Sequence, residues 1–306
     1  MAALAAASAI PAELLRGREL LYPPRDLSYF DTPITPGPSE IQWGYASITW
    51  NGNDRQAIEE IASLGFRGIQ LRSNCIEEFG SAAAVRGLLE KNHLKLVALS
   101  SGDLNLDAPE APEIAKHTDH AKFVHDAGGL YLQVIASRPK GRAITAADYK
   151  RFGQLLTKLG KQTADLGVSL GFHNHMNSLG ERPEEVDEIM DAADPRYAKL
   201  ELDVAHYFQG GGDPAKAVEK FTDRLLFLHI KDVEHRAATA NSRDYRFVEL
   251  GRGLVNLPAV FDALHKVNFR GWAIIELDAV PDKARTPKES AAMSKKYAED
   301  KLGAAV

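Results

Sequence analysis

Eight short apolar runs recur along this chain, separated by longer stretches that read as amphipathic helix: Ile41–Ser47, Gly68–Leu71, Leu94–Leu99, Leu130–Ile135, Val168–Phe172, Ala198–Leu202, Leu225–Ile230 and Trp272–Leu277. Each is rich in Val, Ile, Leu or aromatic residues with little polar alternation, the pattern of parallel strands covered on both faces. Gln56–Leu64 shows the intervening pattern. Ile58, Ile61, Ala62 and Leu64 share a face, Glu59 and Glu60 lie off it, and Gly65 follows as a C-cap. Eight βα units in 306 residues predict an α/β fold of the (β/α)8 TIM barrel type rather than a doubly wound open sheet. No Pro/Ser/Gly linker divides the chain, so residues 41–306 read as one barrel domain and residues 1–40 as an N-terminal extension with a Pro-rich lead-in.

Composition narrows the function. With 44% hydrophobic and 26% charged residues there is ample material for a core. A formal charge of -5 and the lack of a Lys/Arg stripe argue against nucleic acid and favour a small polar substrate. No apolar run approaches the roughly 18 residues needed to cross a bilayer, so no membrane partner is expected. The single cysteine, Cys75, excludes an intrachain disulfide and any Cys-rich zinc site; a metal here must be held by His, Asp and Glu. Met1–Ile10 is mostly alanine without a basic start. It reads equally as an Ala-rich extension of a cytoplasmic protein and as the trimmed remnant of an export signal. A homo-oligomer is compatible with all of this.

In such a barrel the chemistry sits where strands end. The fifth run ends in His173-Asn174-His175, the sixth in Glu201-Leu202-Asp203, the seventh in His229-Ile230-Lys231-Asp232 and the eighth in Glu276-Leu277-Asp278. Any one of these residues has an ordinary role as a loop cap or hydrogen-bonding group. Four consecutive strands delivering carboxylates and imidazoles to one rim point instead to a divalent metal, Mn²⁺, Mg²⁺, Co²⁺ or Zn²⁺, with water completing the shell. His206, Lys231, Arg252 and Trp50 are candidate substrate contacts; helix capping, surface ion pairing and core packing are their plain alternatives. Trp43 reads as core. Gly210-Gly211-Gly212 reads as a flexible turn, because it lacks the Lys-Ser/Thr of a phosphate loop. The one long connection, Lys231–Asn256, follows the seventh strand and is expected to cover the mouth, with at least one of Arg236, Arg243 and Arg252 facing the pocket.

The blocks Trp43–Trp50, Gly171–Met176, Leu202–His206 and Leu228–Val233 together resemble the xylose isomerase-like barrel superfamily, and within it inosose dehydratases and sugar phosphate isomerases/epimerases. The likeness runs from about Ile41 to the C-terminus. It implies a metal held by a residue ending the fifth strand, with Asp203, His229 and Glu276 from the next three. Many relatives place Glu where this chain has His173. Either His173 ligates in its place, or Glu181 reaches in, or water completes the shell. The resemblance also implies a sugar or cyclitol substrate and proton removal beside a carbonyl, with Glu276 or His175 as the transferring group. Metal-dependent isomerisation or epimerisation is the leading expectation. Dehydration of an inosose-type keto-sugar or cyclitol is the first alternative, and a non-catalytic sugar-binding barrel the second.

Overall fold

The computed structural model describes residues 40–237 and 244–306. The Ala-rich start and Arg243 therefore lie outside the described residues. All eight apolar runs form barrel strands: β1 (Glu40–Ala46), β2 (Gly68–Arg72), β3 (Lys95–Leu104), β4 (Tyr131–Ala136), β5 (Ser169–His173), β6 (Ala198–Asp203), β7 (Leu225–Ile230) and β10 (Arg270–Ile275). They close in the order β1-β10-β7-β6-β5-β4-β3-β2, and every barrel pairing is parallel. Apolar side chains between the barrel and its helices form the larger core, while Val97, Ala98, Phe227, Trp272 and Ile274 belong to a smaller separate cluster. Gly68 is required by close approach, because a Cβ there would overlap the Trp272 ring. Among the described residues no helix is long and apolar enough to cross a membrane.

The long connection carries two further strands, β8 (Asp232–His235) and β9 (Tyr245–Val248), paired antiparallel. Its organiser is Asp232. The buried carboxylate accepts hydrogen bonds from the backbone N–H groups of Val233, Gly251, Gly253 and Val255, drawing both ends of the connection together. A hairpin that leaves the end of β7 so tightly bound is set beside the residues that β7 carries.

Candidate metal centre

Strand register brings the polar ends together. His173 pairs with Glu201 across β5 and β6, Asp203 with His229 across β6 and β7, and His229 with Ile274 across β7 and β10, two residues before Glu276. Ligand atoms of Asp203, His229 and Glu276 all lie within 4.8 Å of one another, as do those of His173, Glu201 and His229. The Nδ1 atom of His229 stands 2.9 Å from Oε1 of Glu201, 3.4 Å from Oε2 of Glu276 and 3.6 Å from Oδ2 of Asp203. Donors bound roughly 2.0–2.2 Å from a shared cation are spaced about 2.9–3.6 Å apart, so all three separations, that to Glu201 included, are of the size expected between ligands of one metal.

Local structure explains which atoms are left over. Asp203 caps the short helix Val204–Gln209, and its Oδ1 accepts from the N–H groups of Ala205 and His206. Its Oδ2 keeps no hydrogen bond. Nε2–H of His229 donates to Oε1 of Gln70 at 2.8 Å, which leaves Nδ1 as the nitrogen turned towards the carboxylates, where a cation would take the place of its proton. Oδ2 of Asp203, Nδ1 of His229 and both oxygens of Glu201 are buried without an aligned hydrogen bond. Buried polar atoms are almost always satisfied, so this convergence fits a cation-binding centre of hard N/O donors.

Electrostatics agree in direction. Burial opposes ionisation of Asp203 and Glu276, but Lys231 and His229 outweigh it and hold both carboxyl groups below their ordinary pKa values. Burial likewise opposes a charged His229, yet Glu201 and Glu276 more than offset it and raise that imidazole well above its usual value. The centre draws positive charge. The described residues thus bring buried His, Asp and Glu side chains into position to chelate a divalent metal.

A cavity of about 130 Å³ opens beside it, lined by Ser47, Gln70, Arg72, Gln133, His173, His175, Glu276 and Asp278 among others. Nδ1–H of His175 donates to the Met176 carbonyl at 2.7 Å, so Nε2 is its acceptor nitrogen. Burial, reinforced by His173 and Lys231, depresses the His175 pKa to about 4. His206 accepts from Met176 N–H at Nδ1 and so carries its proton on Nε2, 3.9 Å from Asp203 Oδ2. Its contact with the Lys231 ammonium is then packing rather than a hydrogen bond.

Other sequence candidates lie elsewhere. Lys231 is fully enclosed, bonded to Glu276 at 2.9 Å and to Asp278, with the Phe247 ring 4.1 Å from its Nζ. It sits behind Glu276 and Asp278 and does not line the cavity. Arg252 is half exposed, pairs with Glu249 at 3.7 Å and faces a separate polar cleft. Arg236 borders a cleft that shares Asp278. Trp50 is buried, donates from its indole to Glu60 and packs edge-on against Tyr45. Glu181 accepts from Asn177 N–H and sits near Arg138, away from the cluster. His173 reaches the cluster, its Nδ1 being 2.8 Å from Glu201 Oε2. Glu201 and Gln70 were not singled out from sequence. The signal for Glu201 was its spacing: two residues before Asp203 on one strand, it must face the same side.

Residues 58–297 match the family described as xylose isomerase-like TIM barrel. The inosose dehydratase of Lacticaseibacillus casei is 24% identical over 292 residues, covering 84% of this chain and 96% of that one. Among solved structures, the IOLI protein with a binding zinc atom superposes with a TM-score of 0.73 at 20% identity, covering 86% of this chain and 98% of that one. A D-tagatose 3-epimerase-like protein gives 0.70 at 18% identity, with 86% and 98% covered.

Proposed function

Because this chain belongs to the xylose isomerase-like TIM barrel family, we propose that it is a divalent-metal-dependent dehydratase acting on an inosose-type keto-cyclitol or keto-sugar. Relatives from Lacticaseibacillus casei and Bacillus velezensis, matched across 96% and 98% of their length, are named inosose dehydratases. That support moves dehydration ahead of the isomerisation expected from sequence. The structural observation that carries the reading is His175, an imidazole lining the same cavity as Glu276 with its acceptor nitrogen set by the Met176 carbonyl.

When bound, the metal supplies Lewis acidity, polarising the substrate carbonyl and offsetting the negative charge that develops as the adjacent proton leaves. Asp203, His229 and Glu276 would hold it. Glu276 has one oxygen taken by Lys231 and the other turned to His229, which leaves His175 the freer group for proton transfer. Neutral at Nε2, His175 accepts the proton from the carbon beside the carbonyl. As imidazolium it then gives that proton to the β-hydroxyl, which departs as water while the C–O bond breaks and a C=C bond forms. The carboxylates beside it stay ionised and orient rather than donate.

Isomerisation or epimerisation is the second reading. Glu276 and His175 line one cavity, and two such groups are what an epimerase needs to remove a proton from one face and return it to the other. The two readings share the first step. The test is His175→Ala in the metal-loaded protein, supplied with inosose: turnover should fall by about 10²–10⁴ while metal content holds. Unchanged turnover would remove His175 from the mechanism, and loss of metal would make it a ligand.

A further inference from the structure

Two side-chain amides lie on the cavity wall opposite the ionisable strands. Gln70 and Gln133, on β2 and β4, are 2% and 1% exposed, and both line the cavity that His173, His175 and Glu276 share. Gln70 uses Oε1 to accept from His229. Its amide nitrogen makes no hydrogen bond within the described protein. Gln133 has neither end of its amide bonded, and its Oε1 is a buried orphan. A buried amide left unpaired costs about 1–3 kcal/mol, so a side chain this well enclosed is retained for something that enters the cavity.

The wall these residues form is uncharged. Ser47, Gln70, Ser100 and Gln133 come from β1 to β4 or their ends, whereas the metal ligands come from β6, β7 and the end of β10. Arg72 is the one guanidinium in the lining, and it stands at the exposed rim. A phosphate or carboxylate lodged on the inner wall would meet amides and hydroxyls without a balancing charge, at a large desolvation cost. Hydroxyl and keto oxygens would be matched.

We propose that Gln70 and Gln133 are specificity-determining residues that hydrogen-bond oxygens of an uncharged, polyhydroxylated ring, and so select a neutral polyol ketone over its phosphorylated or acidic counterparts. This rests on the metal-dependent keto-sugar reading of the same cavity. Gln133 offers its unbonded amide N–H to a substrate oxygen. Gln70 does two jobs: it fixes the His229 tautomer through Oε1 and offers N–H to a substrate oxygen beside the metal.

Binding to the Mn²⁺-loaded protein is measured by calorimetry for inosose, deoxy-inosose, D-fructose and D-fructose 6-phosphate, with wild type, Gln133→Leu and, as a second variant of similar shape, Gln133→Met. Metal affinity should be unchanged in both variants. The neutral ligand that binds best should lose about tenfold or more in affinity, the worth of one buried hydrogen bond. If inosose is that ligand, one of its deoxy derivatives should bind wild type and variant alike. If fructose binds and inosose does not, the inosose reading fails while the loss on Gln133→Leu still upholds the amide wall. Tighter binding of the phosphorylated sugar, no binding of any neutral ligand, or affinities that ignore Gln133 would overturn the proposal.

Discussion

His229 and Gln70 face each other across the barrel mouth, the imidazole Nε2–H donating to the amide oxygen at 2.8 Å. That bond decides which nitrogen of His229 is free, and hence that Nδ1 can meet Asp203 and Glu276 around a cation. Removing an outer partner of this kind typically costs 10–100-fold in metal affinity. Gln70→Leu should therefore weaken Mn²⁺ binding by about that factor with the barrel intact, as judged by circular dichroism. Unaltered affinity would mean that the tautomer is held by other means.

Metal should also stabilise the fold, because it neutralises carboxylates that are buried with unsatisfied oxygens. At a free concentration about 100 times its dissociation constant, a ligand bound only by the native state adds about 2.7 kcal/mol. Chelation should lower the unfolding midpoint accordingly, and Asp203→Asn should abolish the difference between metal-loaded and chelated samples. A midpoint indifferent to metal in the wild type would place the cation elsewhere.

Much of this centre was legible in the sequence. The alternation of apolar runs gives the barrel, and the polar residues that end β5, β6, β7 and β10 give one rim, because both follow from local patterning. The Gln70–His229 bond joins residues 159 apart and leaves no local trace. Lys231 and Arg252 looked alike as cations beside a long loop, yet burial separates them: Lys231 is sealed behind Glu276 and Asp278, while Arg252 faces solvent. Patterning reports which side of a strand a residue faces. It does not report which of several carboxylates on that side ends nearest the imidazole.

Lys231 is accordingly expected to matter for stability more than for substrate capture. Breaking a buried ion pair by removing one partner costs about 3–5 kcal/mol, and Lys231→Met leaves Glu276 without its ammonium. Chemical denaturation should show a loss in that range. A variant of normal stability with a raised KM would instead make Lys231 a substrate contact.

Away from the mouth, His117 gives the protein an acid-side weakness. Burial, with help from Lys116, lowers its pKa to about 4. The unfolded chain, with an ordinary pKa of about 6.5, binds this proton more readily than the folded one. Stability from this group is thus complete above pH 6.5 and declines as pH falls towards 4, at no more than about 1.4 kcal/mol per pH unit. His117→Gln should flatten the curve of unfolding free energy against pH across that window. An unchanged slope would show that other groups set the acid limb.

The most direct test of the central claim is mass analysis of the product formed from inosose in D₂O by metal-loaded protein, with a chelated sample alongside. The account predicts a product lighter by one water, with enone absorbance, formed only when metal is present. Ketose recovered without loss of water but carrying solvent deuterium, or product formed equally in the chelated sample, would contradict it.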